Sequence, residues 1–254
     1  MTATPPQDLS LPRILCLHGG GVTGDVFKAQ ARALIKALPT FRLVFADGPF
    51  YCDPGPGIVP VYEDWGPFRR WLRWLAEHQE IDDDSAIEEV QYAIKTCKDA
   101  DPGKGPWVGL LGFSQGAKLA ASLLYEQQIQ IEKLGKADTD YKFAVLLAGR
   151  SPLVSFSELS KSPATVAAGA ISEGFFYDGV SPHILRLPTI HVHGLQDNGL
   201  HLHRRLLNQY CDPASVTLVE WDGTHRVPLK KTDIDKIVAP IIKVAKETGA
   251  YIQL

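Results

Sequence analysis

Short apolar runs recur along this chain, and nearly every one is followed by a stretch with helical spacing of its apolar residues. The runs are Arg13–Leu17 (RILCL), 41–46 (FRLVFA), 107–111 (WVGLL), 143–148 (FAVLLA), 189–192 (TIHV) and Val216–Trp221. Continuous apolar runs bounded by turn residues read as strands covered on both faces rather than half-exposed ones. The helical stretches between them cover 26–38, a segment from an Asp84 cap to about Cys97, the Ala/Leu-rich residues after Gly116, Leu200–Tyr210 and 233–246. In 26–38 the residues Phe27, Ala31, Leu34 and Leu38 share one face. Strands that alternate with helices form parallel sheets, because the helix is the crossover that brings the next strand back in the same direction. The expected fold class is therefore α/β, a mostly parallel central sheet with helices on both faces. Two stretches break the rhythm. Residues 50–66 are rich in Gly and Pro, and residues 150–187 mix Ser, Pro and Gly as a small lid or insertion would. No linker divides the chain, so 1–254 reads as one domain with a flexible N-terminus at 1–10.

The bulk composition excludes several partners. With 45% apolar and 22% charged residues the chain can bury a large core without staples. A net charge of −3, with no basic cluster beyond Arg69-Arg70 and Lys230-Lys231, offers no footprint for nucleic acid or an anionic membrane. No apolar run approaches the length of a membrane span. The four cysteines lack any paired spacing and read as free thiols, and the polar N-terminus shows no secretory signal, so a cytoplasmic location is expected.

The run 107–111 leads directly into Gly112-Phe113-Ser114-Gln115-Gly116. A serine between two glycines at a strand-to-helix turn is the nucleophile-elbow pattern: the glycines admit a sharp turn that lifts the hydroxyl above the sheet. An alkyl hydroxyl needs a base, usually histidine, and the histidine needs an acid to orient it. Of eight histidines, His18 and His78 precede the serine. His191 and His193 lie in or at the end of a strand, and His201 and His203 in the following helix, where a solvated or capping role is expected. His225 follows the last strand in a Gly-Thr-His loop at the sheet's carboxyl edge, where sites of such folds collect. Asp197, in Gly194-Leu195-Gln196-Asp197, is the favoured acid, with Asp222 second. The expected catalytic residues are thus Ser114, Asp197 and His225. A negatively charged tetrahedral oxygen would need fixed donors. The backbone amide of Gln115 is one, and the loop His18-Gly19-Gly20-Gly21 supplies the other, from Gly20 first and Gly21 second. Phe27, Trp65, Phe68 and Phe175 are the aromatic candidates for an acyl slot, against the alternative of plain core packing.

Taken in order, HGGG near the N-terminus, GFSQG, GLQD and GTHRVP resemble the fungal family of small serine hydrolases, which includes thioesterases that release polyketide chains. The resemblance spans about Leu11 to Ile242. It implies an α/β-hydrolase fold with a modest lid, no metal and no cofactor, and hydrolysis of an ester or thioester through an acyl-enzyme. It also implies a small acyl or polyketide substrate in secondary metabolism, sometimes presented on an acyl carrier protein. Two other readings compete: a general short-chain carboxylesterase, and a non-catalytic binding protein on a hydrolase scaffold.

Overall fold

The computed structural model describes residues 8–251. Most of the N-terminal stretch 1–10 expected to be flexible lies outside the described residues. Its remainder is fastened at Leu9, whose carbonyl accepts the amides of Lys104 (2.7 Å) and Gly105 (3.2 Å).

Along the chain the elements are β1 (Arg13–Leu17), α1 (Gly24–Gln30), α2 (Arg32–Ala37), β2 (Arg42–Ala46), β3 (Phe50–Tyr51), β4 (Arg69–Arg70), α3 (Asp83–Ala100), β5 (Trp107–Phe113), α4 (Gln115–Leu134), β6 (Phe143–Leu147), β7 (Leu153–Val154), β8 (Thr165–Val166), β9 (Thr189–Gly194), α5 (Leu200–Tyr210), β10 (Val216–Trp221) and α6 (Lys231–Glu247). Six strands form one sheet in the order β10-β9-β6-β5-β1-β2, every pair parallel. β5 sits inside it, between β1 and β6. The short strands form two small ribbons, β3 with β4 and β7 with β8.

Side chains alternate across a strand, and here the alternation divides the core in two. Ile14, Cys16, Leu111, Val145 and Val192 face a layer holding Phe27, Leu34, Ile237 and Ile241 from α1, α2 and α6. Leu15, Leu17, Leu110, Ala144 and Leu146 face the other layer, where Val90, Leu119, Leu124, Leu206 and Tyr210 come from α3, α4 and α5. This is the expected class, with both faces of a parallel sheet covered.

Local boundaries differ from the sequence reading at several points, three of which bear on the helices and the central strand. The helix expected over 26–38 breaks at Ala31, whose backbone (φ −87°, ψ 7°) leaves the helical region and separates α1 from α2. The α3 cap is Asp82 and not Asp84: its carboxylate accepts the Ser85 amide at 2.9 Å. The central strand β5 continues two residues beyond 111, to the edge of the turn at Ser114. Cys16, Cys52, Cys97 and Cys211 are free thiols, and no helix among the described residues is long and apolar enough to cross a membrane.

Candidate active site

Ser114 stands between β5 and α4 with φ 54° and ψ −113°, a region that a residue with a Cβ enters only under strain. Its flanking glycines make the turn sterically feasible. A Cβ on Gly112 would stand 2.2 Å from the Gly116 carbonyl oxygen, and one on Gly116 2.0 Å from that of Leu17. The Ser114 amide donates to the Leu147 carbonyl at 2.8 Å, which ties the turn to β6.

Asp197 follows β9 and His225 follows β10, so both arrive at the sheet's carboxyl edge from the side of Ser114 opposite β1. The three side chains form one hydrogen-bonded line. His225 Nε2 lies 2.9 Å from Ser114 Oγ, and His225 Nδ1 lies 2.6 Å from Asp197 Oδ2. A carboxylate only accepts, so Nδ1 carries the proton and Nε2 is left to accept from the hydroxyl. The imidazole rests on the Phe113 ring, centroids 5.0 Å apart. Burial pushes the Asp197 carboxyl up. The Gly199 amide (2.7 Å), the His225 hydrogen bond and the charges of His225 and His203 outweigh this and hold it below its ordinary value. Asp222, the second acid candidate, is exposed and accepts the Gln196 side-chain amide at 2.5 Å.

Behind this line lies a file of buried imidazoles. His203 packs 6.1 Å from His225, His193 5.5 Å from His203, and His191 5.9 Å from His193, ring centre to ring centre. His203 corrects the sequence reading: it is fully buried rather than solvated, because α5 turns His203, Leu206 and Tyr210 inward and His201 outward. Its Nε2 lies 3.8 Å from Asp197 Oδ2. Asp197, His203 and His225 bring atoms able to ligate a metal within 4.8 Å of one another. Both Asp197 oxygens and both His225 ring nitrogens are already engaged, so a cation there would displace part of the line.

The loop 18–21 lies against the other side of Ser114. A Cβ on Gly19 would stand 3.5 Å from Ser114 Cβ. His18 is structural: Nε2 accepts the Gly48 amide at 2.8 Å, and Nδ1 therefore donates to the Gly19 carbonyl at 2.6 Å. Burial pushes its pKa down to about 4. Gly21, the second-choice oxyanion donor, is ruled out by its own bonding. At φ 75° its amide already donates to the Arg69 carbonyl at 2.9 Å. The amides of Gly20 and Gln115 have no acceptor among the described residues. Two features were missed from sequence. The Trp74 ring covers Gly20 so closely that a Cβ there would stand 2.8 Å from it. The Gln115 side chain clasps the strap at 71–72, accepting from the amides of Trp71 (2.7 Å) and Leu72 (3.1 Å) and donating to the Leu72 carbonyl (3.1 Å). The glutamine of a GFSQG turn was visible, but its partner, more than forty residues away, was not.

The aromatic slot is revised. Phe27 is core: fully buried, it stacks on Phe113 and meets Phe45 edge-on. Phe68 is buried in a small cluster with Val22, Val26 and Ile58. Trp65 is exposed and packs edge-on against Tyr62. Phe175 is half-buried against the main core.

Residues 8–237 match the family described as Serine hydrolase (FSH1). The chain belongs to the FSH1 family of serine hydrolases. Among FSH1-like relatives, the esterase citA of Monascus ruber is 50% identical over 249 residues, covering 95% of each chain. The probable esterase tazC of Aspergillus terreus is 51% identical over 259 residues, covering 98% of this chain and 97% of its own. The fold is that of α/β-hydrolases: acyl-protein thioesterase 2 of Zea mays superposes with a TM-score of 0.55 at 16% identity over 95% of this chain and 96% of its own. The Bacillus cereus carboxylesterase gives 0.52 at 17% identity, over 95% of this chain and 92% of its own.

Proposed function

We propose that this FSH1 hydrolase is an esterase or thioesterase that works through an acyl-enzyme at Ser114. The observation that carries the reading is the unbroken line from Ser114 Oγ through His225 to Asp197. His225 Nε2 takes the hydroxyl proton as Ser114 attacks the carbonyl, and Asp197 holds the ring and stabilises the imidazolium that forms. The amides of Gly20 and Gln115 are the donors we assign to the developing oxyanion, helped by the positive N-terminal end of α4. His225 then returns its proton to the leaving oxygen or sulfur. Water, activated by the same ring, hydrolyses the acyl-enzyme.

The substrate we infer is a small acyl or polyketide ester or thioester of fungal secondary metabolism. Identity near one half to proteins named as fungal esterases supports this. An acyl carrier protein is the proposed bearer where the substrate is a thioester, and the free cysteines favour a reducing, cytoplasmic setting.

A fluorophosphonate probe and a panel of acyl esters and thioesters of graded length test the reading. Wild type should be labelled and should turn over members of the panel, and Ser114→Ala should lose both. A folded wild type that neither labels nor hydrolyses would instead be a binding protein on this scaffold. Equal turnover of all short acyl esters and no thioester would favour the general carboxylesterase.

A further inference from the structure

One turn into α4, four residues past Ser114, the helix carries a lysine where every neighbour is apolar or small (Gly116, Ala117, Leu119, Ala120). Lys118 is buried, at 7% exposure. Its ammonium donates at 2.6 Å to a neutral group, the hydroxyl of Ser172 in the irregular segment beyond β8. No carboxylate among the described residues stands within ion-pair distance of it. The charge that acts on it is another cation, Arg150. Burial, reinforced by Arg150, pushes Lys118 down to about 7.

Arg150 follows β6, the strand paired with β5, and lies three residues past Leu147, whose carbonyl holds the Ser114 amide. Its guanidinium lies against the backbone of Gly199, the residue whose amide holds Asp197. Its Nε is buried without a hydrogen-bond partner. It too has no carboxylate within ion-pair distance among the described residues.

Three sources of positive potential therefore belong to elements that meet at the Ser114 turn: the N-terminal end of α4, Lys118 one turn along it, and Arg150 just past β6. The arrangement is unfavourable in isolation. A cation in the first turn opposes the helix dipole, and a buried charge without a counter-ion is strongly destabilising. An anion placed between them resolves all of this at once, through charge-assisted hydrogen bonds from an ammonium and a guanidinium. Arg150 and Ser172 are both part-exposed, so the buried ammonium of Lys118 has a part-exposed residue as its hydrogen-bond partner.

We propose that Lys118 and Arg150 form an anion subsite of the active centre, which holds an acidic group of the substrate, a carboxylate or an ionised enol, a few bonds from the scissile carbonyl. The proposal rests on the serine-hydrolase reading of Ser114 and narrows its substrate class to esters or thioesters with a second, acidic function. The spacing agrees: four residues of helix advance roughly 6 Å along its axis, the reach of a short chain between a reacting carbonyl and an acidic group.

The test uses two esters of one shape, the p-nitrophenyl monoester of glutaric acid and the same molecule with its free carboxyl capped as a methyl ester. The readout is the ratio of kcat/KM, acid over capped. Wild type should favour the acid, and the ratio should fall about tenfold or more in Lys118→Met and in Arg150→Gln. A general folding defect lowers both esters together and leaves the ratio intact, and Arg150→Gln alters a part-exposed residue, so it probes the same site without emptying the core. A wild-type ratio below one, or a ratio that both variants leave unchanged, overturns the subsite while esterase turnover still stands. Failure of the fluorophosphonate to label Ser114 removes the hydrolase reading, and the subsite falls with it.

Discussion

At the scale of single residues, the site is written in side-chain chemistry and also in backbone strain. Ser114 holds a conformation that glycine enters more easily than any residue with a Cβ. Replacing Ala by Gly ordinarily costs about 0.5–1 kcal/mol in chain entropy. At position 114 relief of the strained turn offsets that, so Ser114→Gly should be at least as stable as Ser114→Ala in urea unfolding. A Gly variant less stable by the ordinary amount would mean the turn is unstrained. Asp197→Asn leaves the carboxylate's shape but removes its ability to hold the imidazole in the right tautomer. It should lower kcat on a p-nitrophenyl ester by on the order of 10⁴-fold, the loss known for an equivalent change in the serine proteases. An equally large loss in Asp222→Asn, with Asp197→Asn active, would reverse the assignment of the acid. Ser114, Asp197 and His225 were legible in the sequence because each is a reactive residue type just past an apolar strand. The choice between Gly20 and Gly21 was only half legible. It turns on the Arg69 carbonyl, which occupies one of the two amides, and nothing near residue 21 announces that contact.

At the scale of elements, strands and helices followed from apolar periodicity, and their ends did not. The break at Ala31 has no Gly or Pro to mark it, and the α3 cap fell among three consecutive aspartates, of which the first caps. The irregular strap between β4 and α3 was legible only as aromatic. What fixes it is the Gln115 side chain at the head of α4, through three hydrogen bonds to residues 71 and 72. At about 1 kcal/mol each for partly buried bonds, Gln115→Ala should cost roughly 2–3 kcal/mol in urea unfolding. It keeps the backbone amide proposed as an oxyanion donor. Freed, the strap that carries Trp74 over Gly20 should raise KM more than it lowers kcat. An unchanged unfolding midpoint would show that the clasp holds nothing. The aromatic slot was misread at Phe27 for a related reason: periodicity finds buried faces, but it does not distinguish a face toward the core from one toward a pocket.

At the scale of the whole molecule, the alternation of strands and helices fixed the class but not the strand order, which places β5 inside the sheet and brings the ends of β9 and β10 to one side of it. That order is what carries Asp197 and His225 to Ser114 across 83 and 111 residues of chain. The same packing buries neutral imidazoles. Burial pushes His18 and His193 down to about 4 and His191 to about 3. Unfolded, these rings take a proton below about pH 6.5, so between that pH and about 4 the unfolded chain binds more protons than the folded one. Stability is therefore full above pH 6.5 and falls as the pH drops, each ring adding up to about 1.4 kcal/mol per pH unit. Urea midpoints measured across this range should decline steeply, with a shallower slope in His193→Gln. If distant elements meet to turn one hydroxyl into a nucleophile, quenching the enzyme within its first turnovers of p-nitrophenyl acetate and mapping the product peptides by mass will catch the acylated residue. One acetyl group is expected, on Ser114, with a matching burst of p-nitrophenol, and no burst when His225 is alanine. Steady turnover without a burst, persisting in Ser114→Ala, would contradict this.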